Sequence, residues 1–150
     1  MKKLSNTLLA IGISLIAGFA HAADYEVQML NSGSEGFMVF EPAVLSVEVG
    51  DTVTFVATDM AHNSASIAGM IPEGAAAWTG ELSKDIAVTF EKPGVYVYQC
   101  TPHAMMAMVG VINVGQGAEN LAAVKAAAAG KKESFVTNQD RLDNYLAQAQ

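Results

Sequence analysis

The sequence has a single cysteine, Cys100, and only three histidines among its 150 residues. One cysteine excludes an intramolecular disulfide. Basic residues are also scarce: 8 lysines and arginines stand against 15 acidic residues, a formal net charge of −7. Such a chain is a poor match to nucleic acid or to anionic membranes. Its acidity fits either a solvated surface without a specific role or attraction toward a basic protein surface.

The first 22 residues have the composition of an export signal. Two lysines near the start supply positive charge, residues 8–20 form an apolar stretch, and Ala20-His21-Ala22 is a small-x-small cleavage motif. An uncleaved membrane anchor is the alternative, although glycine and serine residues interrupt the apolar stretch. We predict that residues 1–22 are a signal peptide and that the mature chain begins at Ala23 in the periplasm, without a membrane attachment.

Cleavage at this point would change the charge and the histidine content of the working protein. It removes two lysines and no acidic residue, so the net charge changes from −7 to −9. It also removes His21 and leaves only His62 and His103. In a compartment that favours disulfides, the lone thiol of Cys100 requires either burial or a metal.

Residues 23–115 consist of short β-type segments separated by turn residues. Gly50-Asp51 predicts a hairpin between the second and third of these segments. Regularly spaced strands without βαβ alternation favour a mainly β, antiparallel Greek-key sandwich or barrel of about eight strands. Alternation of apolar and polar residues, or β-branched content, predicts strands near residues 25–30, 45–49, 52–58, 86–90, 95–100 and 109–114.

The composition changes to alanine-rich helix after Gly115. One helix is predicted over residues 119–129 and stopped by Gly130, and a second from about residue 138 to the C-terminus. We therefore predict one domain over residues 23–150, monomeric, with the sandwich in 23–115 and the helices in 116–150. The helices are expected to pack on the sandwich through Leu121, Val124, Phe135, Leu142, Tyr145 and Leu146.

The segment from Cys100 to Met108, CTPHAMMAM, carries a thiolate, an imidazole and three thioethers in one loop, with the spacing C-x2-H-x4-M. Taken singly, the cysteine could be a small buried hydrophobe and the methionines core filler. His62, just beyond a predicted strand, could be a surface residue. The only cysteine and both remaining histidines fall into one ligand pattern, however, which favours a metal site.

The ligand types indicate copper. A His2Cys set with a weak axial methionine serves both Cu(I) and Cu(II), whereas zinc, the alternative, seldom takes thioether sulfur. Met105, Met106 and Met108 are all candidates for the axial position, and the spacing of the loop does not choose among them.

The sequence resembles the pseudoazurins, a family of blue copper proteins of the cupredoxin type, over residues 23 to about 150. The resemblance rests on residues 23–31 (ADYEVQMLN), the His62-Asn63 pair, residues 69–75 (GMIPEGA) and residues 100–110. It implies a cupredoxin-like sandwich with two C-terminal helices, one copper per chain and one-electron transfer. It also implies that Met106 is a non-ligand close to the copper. The implied ligands are His62, Cys100 and His103 in the strong equatorial positions and Met108 in the axial position.

The surroundings of the copper can also be assigned. Asn63 is placed to tie the two ligand loops together, and Pro102 denies the loop one N–H that would otherwise reach the sulfur. In the family pattern the edge of His103 emerges through an apolar docking patch. The patch would here comprise Pro102, Ala104, Met105 and Met106.

The sequence departs from the family pattern in its charges. Pseudoazurins usually ring the docking patch with lysines that meet acidic partners such as copper nitrite reductase. That ring is largely missing here, which favours a basic or weakly charged periplasmic redox protein, such as a cytochrome, or docking mainly through the apolar patch. A saline habitat would explain the acidity equally well. The positions where relatives often carry lysine are Ser32, Met60, Ala68, Thr79, Glu81 and Gln99.

Two other functions are alternatives to an electron carrier. An exported copper chaperone or store would gain support from the methionine-rich loop, but delivery requires an exposed, exchangeable Cu(I) site. An enzyme would need an open metal position or a set of proton-transfer groups. With both remaining histidines assigned to copper, neither is visible in the sequence.

Overall fold

The computed structural model describes residues 21–116 and 119–149. The predicted signal peptide therefore falls almost entirely outside the described residues. The described part contains eight strands and two helices. The strands are β1 (Asp24–Gly33), β2 (Gly36–Glu41), β3 (Val44–Val47), β4 (Thr52–Val56), β5 (Ala65–Ser66), β6 (Ile86–Thr89), β7 (Gly94–Gln99) and β8 (Val109–Val114), and the helices are α1 (Leu121–Lys132) and α2 (Arg141–Leu146).

The strands form two four-stranded sheets. Their orders are β2-β1-β4-β6 and β3-β8-β7-β5. This confirms the predicted mainly β sandwich of about eight strands followed by two helices. Pairing is not antiparallel throughout, however, because β1 runs parallel to β4 and β3 runs parallel to β8. The prediction of an antiparallel sandwich was wrong for these two pairs of strands.

The predicted hairpin at Gly50-Asp51 was also wrong. The two strands that this turn joins lie in different sheets: β3 pairs with β8, and β4 pairs with β1 and β6. The turn therefore carries the chain from one sheet to the other. Alternation of apolar residues predicted both strands correctly but contains no information about their partners.

The first helix does not stop at Gly130 as predicted but continues to Lys132. Gly130 is exposed, and no atom lies within 4 Å of where its Cβ would be. A glycine inside a helix costs only about 1 kcal/mol relative to alanine. Burial of Val124 and Ala128 against the sandwich offsets that cost and carries the helix past the glycine.

Alternation along β7 separates two apolar layers. Tyr96 and Tyr98 point between the sheets, whereas Val95 and Val97 point outward to the helices. Cys100 and Met108 belong to the layer between the sheets. The residues predicted to carry the helices pack in the outer layer: Leu121, Val124, Phe135, Leu142, Tyr145 and Leu146.

Parallel and antiparallel pairing together bring the ends of β1, β4 and β7 and the start of β8 to one end of the sandwich. We call this the ligand end, since it carries Asn31, His62, Cys100, His103 and Met108. The opposite end carries Gly50, Asp51, Gly94 and Gly115. In the described ranges, neither helix has the length and apolarity needed to cross a membrane.

Candidate metal centre

The loop between β7 and β8 places three of the predicted ligands. Cys100 follows β7 directly, and its N–H donates to the carbonyl of Met108 at 2.9 Å. The carbonyl of His103 accepts from the N–H of Met106 at 3.0 Å and of Met108 at 3.3 Å. These bonds close the loop on itself, so Cys100 and Met108 enter the core side by side while His103 stays near the surface.

His62 comes from the connection between β4 and β5, and its side chain is fully buried. Its Nε2 lies 2.9 Å from Oδ1 of Asn31. An amide oxygen only accepts hydrogen bonds, so Nε2 carries the proton and Nδ1 presents a lone pair to the site. The carbonyl of His62 accepts from the N–H of Ser83 at 2.8 Å, which holds the backbone of this residue in place.

Three donor atoms meet at the ligand end. Nδ1 of His62 lies 3.1 Å from Nδ1 of His103, and Sγ of Cys100 lies 3.6 Å and 3.4 Å from these two nitrogens. A point equidistant from the three atoms lies about 2 Å from each, close to ordinary metal–nitrogen and metal–sulfur distances. One thiolate and two imidazoles arranged as a triangle are the equatorial set of a blue copper site. The donors present therefore fit copper.

The methionines of the loop have different environments. Met108 is fully buried beside Cys100 in the inner layer. Met106 is half-buried, and Met105 is 59% exposed. Burial thus separates three thioethers that loop spacing did not.

Burial shifts the pKa of two of the donor residues, Cys100 and His62. Desolvation raises the pKa of the Cys100 thiol, against hydrogen bonds from the backbone N–H groups of Asn63 and His103 that lower it. Desolvation lowers the pKa of His62, and His103 lowers it further, while Asp59 opposes both. Without metal, burial therefore favours the neutral thiol of Cys100 and the neutral ring of His62. Metal binding requires the thiolate and neutral imidazoles, so it releases the thiol proton.

Asn63 connects the two ligand segments. Its Oδ1 accepts from the N–H of Thr101 at 2.8 Å, and its Nδ2 donates to Oγ1 of Thr101 at 3.1 Å and to the carbonyl of Gly80 at 3.0 Å. The residue is buried next to His62, and Thr101 is next to Cys100. A single amide thus links the two loops that bring the donors together.

Sequence reasoning missed Asn31, which orients His62. It lies near the end of β1, and no local pattern connects it with a histidine 31 positions away. It also missed Arg141, whose guanidinium donates to the carbonyl of Ala107 at 3.2 Å, next to Met108. Both residues act through partners distant in sequence.

The surface around the loop is apolar. Of the predicted docking patch, Pro102 and Met105 are exposed and Ala104 and Met106 half-buried, and His103 is also partly exposed. Further large exposed apolar side chains at this end that were not predicted are Phe37, Met60, Leu82 and Val136. Among the described residues, only Val49 of this class lies at the opposite end.

Positive charge is sparse at the ligand end. Among the six positions where lysine was expected, five are exposed and Gln99 is half-buried. Lys84 is nearby but forms an ion pair with Glu81 at 2.5 Å. Asp59 and Asp85 lie at the same end, where their carboxylates accept from backbone N–H groups of Asn31 and Ala57. The surface around the apolar patch is therefore neutral to acidic.

Comparisons with known proteins agree with this site. The family model "Copper binding proteins, plastocyanin/azurin family" matches residues 27–115. Pseudoazurin of Paracoccus pantotrophus is 41% identical over 139 residues, covering 93% of this chain and 92% of the relative. The crystal structure of pseudoazurin from Methylobacterium extorquens AM1 matches with a TM-score of 0.74 and 41% identity, over 85% of this chain and 99% of the other. That of native pseudoazurin from Hyphomicrobium denitrificans matches with a TM-score of 0.76 and 38% identity, over 85% and 98%.

These matches cover the sandwich and its helices, and they agree with the copper-type donor triangle. A blue copper protein of this kind transfers electrons and is not an enzyme. The chain belongs to the plastocyanin/azurin family of copper-binding proteins, within its pseudoazurin group.

Proposed function

We propose that the protein is a periplasmic electron carrier with one type 1 copper, held by His62, Cys100 and His103 with Met108 as the axial ligand. The observation that carries this proposal is the triangle of Nδ1, Nδ1 and Sγ atoms with sides of 3.1, 3.4 and 3.6 Å. Burial of Met108 beside Cys100 supports its axial role over the exposed Met105. The mature domain would comprise residues 23–150, released from a signal peptide in 1–22.

Bound copper would supply the chemistry by alternating between Cu(I) and Cu(II). The chain's own groups keep the donors in one arrangement during that change. Asn31 fixes the ring of His62, and Asn63 ties the two ligand segments. Pro102, which lacks an N–H, limits the hydrogen bonds that can reach the sulfur, and Met106 covers the site without binding. Little rearrangement then accompanies each electron.

The visible spectrum of the purified, copper-loaded protein tests this function. An intense blue thiolate-to-copper band is expected, because Sγ of Cys100 lies in the donor triangle. Cys100→Ser should abolish the band, whereas Met105→Leu, at an exposed thioether, should leave it unchanged. A colourless Cu(II) protein would contradict the proposal. A mass measurement of the exported chain should place its first residue at Ala23.

A copper chaperone or store is less well supported by this geometry. The donors of His62 and Cys100 are fully buried, and the amide of Asn63 holds their segments together. An exchangeable Cu(I) site for delivery needs accessible ligands. The burial instead fits long retention of one ion through many redox cycles.

Electron transfer would proceed through the partly exposed ring of His103. The proposed docking patch consists of Pro102, Ala104, Met105 and Met106. Phe37, Met60, Leu82 and Val136 would extend it. Because the residues that the structure describes form no free ring of lysines around this patch, we propose a partner with an apolar contact surface bordered by basic residues.

Stopped-flow kinetics test the docking surface. With a basic c-type cytochrome as the probe, the electron-transfer rate should fall as salt is added, because opposite charges attract at low ionic strength. Met105→Ser should slow the reaction, and Val49→Ser, at the opposite end, should not. Fast transfer to an acidic copper nitrite reductase, slowed by salt, would overturn the basic-partner proposal.

A further inference from the structure

The segment between the two helices and the first residue of α2 contact the backbone of the loop between β7 and β8 at three successive carbonyls. The N–H of Val136 donates to Met105 at 2.8 Å. Nδ2 of Asn138 donates to the carbonyl of Met106 at 3.3 Å. Nη1 of Arg141 donates to the carbonyl of Ala107 at 3.2 Å. The C-terminal region thus holds the outer side of the loop immediately before Met108.

Arg141 also connects this loop with the turn between β1 and β2. Its guanidinium donates to the carbonyls of Glu35 and Phe37, each at 3.3 Å, and of Met38 at 3.0 Å. The residue is only 8% exposed, and its guanidinium donates to four backbone carbonyls. A planar fork with five donors can serve several carbonyls at once, which a lysine ammonium cannot.

Backbone conformation provides a second, independent observation. Met38, Ala107 and Asn138 are non-glycine residues with positive φ, at 51°, 56° and 54°. The carbonyls of Met38 and Ala107 accept from the Arg141 side chain, and that of Asn138 accepts from its backbone N–H at 3.0 Å. Unfavourable backbone conformations of this kind persist only where their surroundings enforce them. Three such residues converge on one arginine.

Helix attachment alone does not account for this arrangement. Leu142, Tyr145 and Leu146 already bury the apolar side of α2 against the sandwich. Burying a charged guanidinium costs free energy that another apolar residue would not cost. What the arginine adds is a defined position for the carbonyls of Met38 and Ala107 relative to each other.

We propose that Arg141 is a positioning residue for the copper centre, one that sets the backbone of Ala107 and through it the thioether of Met108 relative to His103. This inference rests on the proposed function, because it assigns Arg141 a role toward the proposed axial ligand. Its effect on the proposed axial ligand would pass through the backbone of Ala107, to whose carbonyl Arg141 donates.

The test uses protein expressed from the full-length sequence with Arg141→Met, which keeps the length of the side chain and removes the donors. In the copper-loaded variant we expect a changed intensity ratio of the thiolate-to-copper bands and a shifted reduction potential. In the metal-free variant we expect about tenfold faster amide hydrogen exchange at Met106 and Met108, with Val97 in β7 unchanged. An unaltered spectrum, potential and loop exchange would overturn the proposal.

Two further variants separate positioning from helix stability. Leu142→Ala weakens the packing of α2 without removing a hydrogen bond to the loop, and the spectrum should stay unchanged. The same spectral change in Leu142→Ala would overturn the proposal. If Arg141→Met does not fold, Arg141→Lys, which keeps the positive charge, takes its place. Its spectrum should change in the same direction by a smaller amount. Because the exchange measurement needs no copper, it tests the positioning role even if the wild-type protein has no blue band.

Discussion

At the ligand end of the sandwich, left-handed backbone falls on residues with side chains, with Gly36 as an exception, whereas at the opposite end it falls on glycines. The non-glycine residues with positive φ in the described ranges are Met38, Ala61, Ser83, Ala107 and Asn138. Ala61 and Ala107 are adjacent to proposed ligands, and Ser83 and Asn138 bond to ligand segments. The carbonyl of Met38 accepts from Arg141. Gly50, Gly94 and Gly115 make the corresponding turns at the opposite end.

The difference has an energetic meaning. A residue with a Cβ in the left-handed region costs about 1–2 kcal/mol, and glycine avoids that cost. At the opposite end, glycine adopts the positive φ of the turns without this cost. The ligand end keeps unfavourable backbone because hydrogen bonds, such as those of Arg141 and Ser83, over-determine it. Strain is concentrated where donor atoms must be held in place.

Removing a support at the ligand end should have the largest effect. In Asn31→Leu, Nε2 of His62 loses its acceptor and the ring is free to rotate. Loss of such a supporting hydrogen bond typically weakens metal binding by about 10- to 100-fold. Copper affinity measured by competition with a chelator should fall accordingly. Asn31→Asp, which keeps the acceptor, should retain most of the affinity, and equal losses in both variants would refute the role of Asn31.

A change in the proposed axial ligand should have the next largest effect. Met108→Gln should keep copper but lower the reduction potential, because a harder oxygen donor favours Cu(II). A tenfold change in the relative affinity for the two oxidation states corresponds to about 60 mV for one electron. Voltammetry measures the shift, and Met106→Gln is the control. An unchanged potential in Met108→Gln would remove Met108 as the axial ligand.

Backbone substitutions at the two ends test the comparison directly. In Gly50→Ala the added methyl group meets no atom within 4 Å, so only the φ of 97° opposes it. The free energy of unfolding should fall by about 1–2 kcal/mol. Ala61→Gly changes an exposed residue with a φ of 68°. Here the free energy of unfolding should rise by about 1 kcal/mol, because the relief of backbone strain exceeds the cost of the more flexible unfolded chain. Urea denaturation measures both, and a loss of stability in Ala61→Gly would contradict the presence of strain there.

The smallest effect should come from Asp51 at the opposite end. Its carboxylate accepts from the N–H groups of Ala23 and Glu48, and these bonds lower its pKa. A lowered pKa contributes stability that is present above the ordinary value of 3.8 and is lost as the pH falls through the folded value. Asp51→Asn should therefore lower the melting temperature slightly at pH 7 and flatten its decline in acid. The blue band should not change, because none of the four proposed copper ligands lies at this end.

The sequence predicted the regular strands well. Near-continuous apolar and aromatic residues marked β7 and β8 almost to the residue. It missed β2, where Gly36 and Met38 have positive φ, and β5, which has only two residues. The wrong hairpin at Gly50-Asp51 has a different cause, because local patterns do not encode which strands pair across the sandwich. The sequence pattern shows where strands lie along the chain, but it does not show which strands pair in a sheet.

For the site, scarcity was the informative signal. With one cysteine and two histidines beyond the proposed signal, the sequence pointed to the three donors that the structure brings together. Asn31 and Arg141 were not predictable in the same way, since asparagine and arginine are ordinary surface residues. Their roles arise from contacts with His62 and Ala107, 31 and 34 positions away.

The unequal burial of the three clustered donors affects how redox partners can bind. Among the three clustered donors, only His103 reaches the surface, while His62 and Cys100 are fully enclosed. A carrier with a single exposed ligand cannot contact its reductant and its oxidant through that ligand at the same time. If electrons enter and leave through His103, as proposed, the two partners would bind the same face in turn, and each encounter would have to end quickly. Brief, small contacts, rather than tight ones, are what such a shuttle requires.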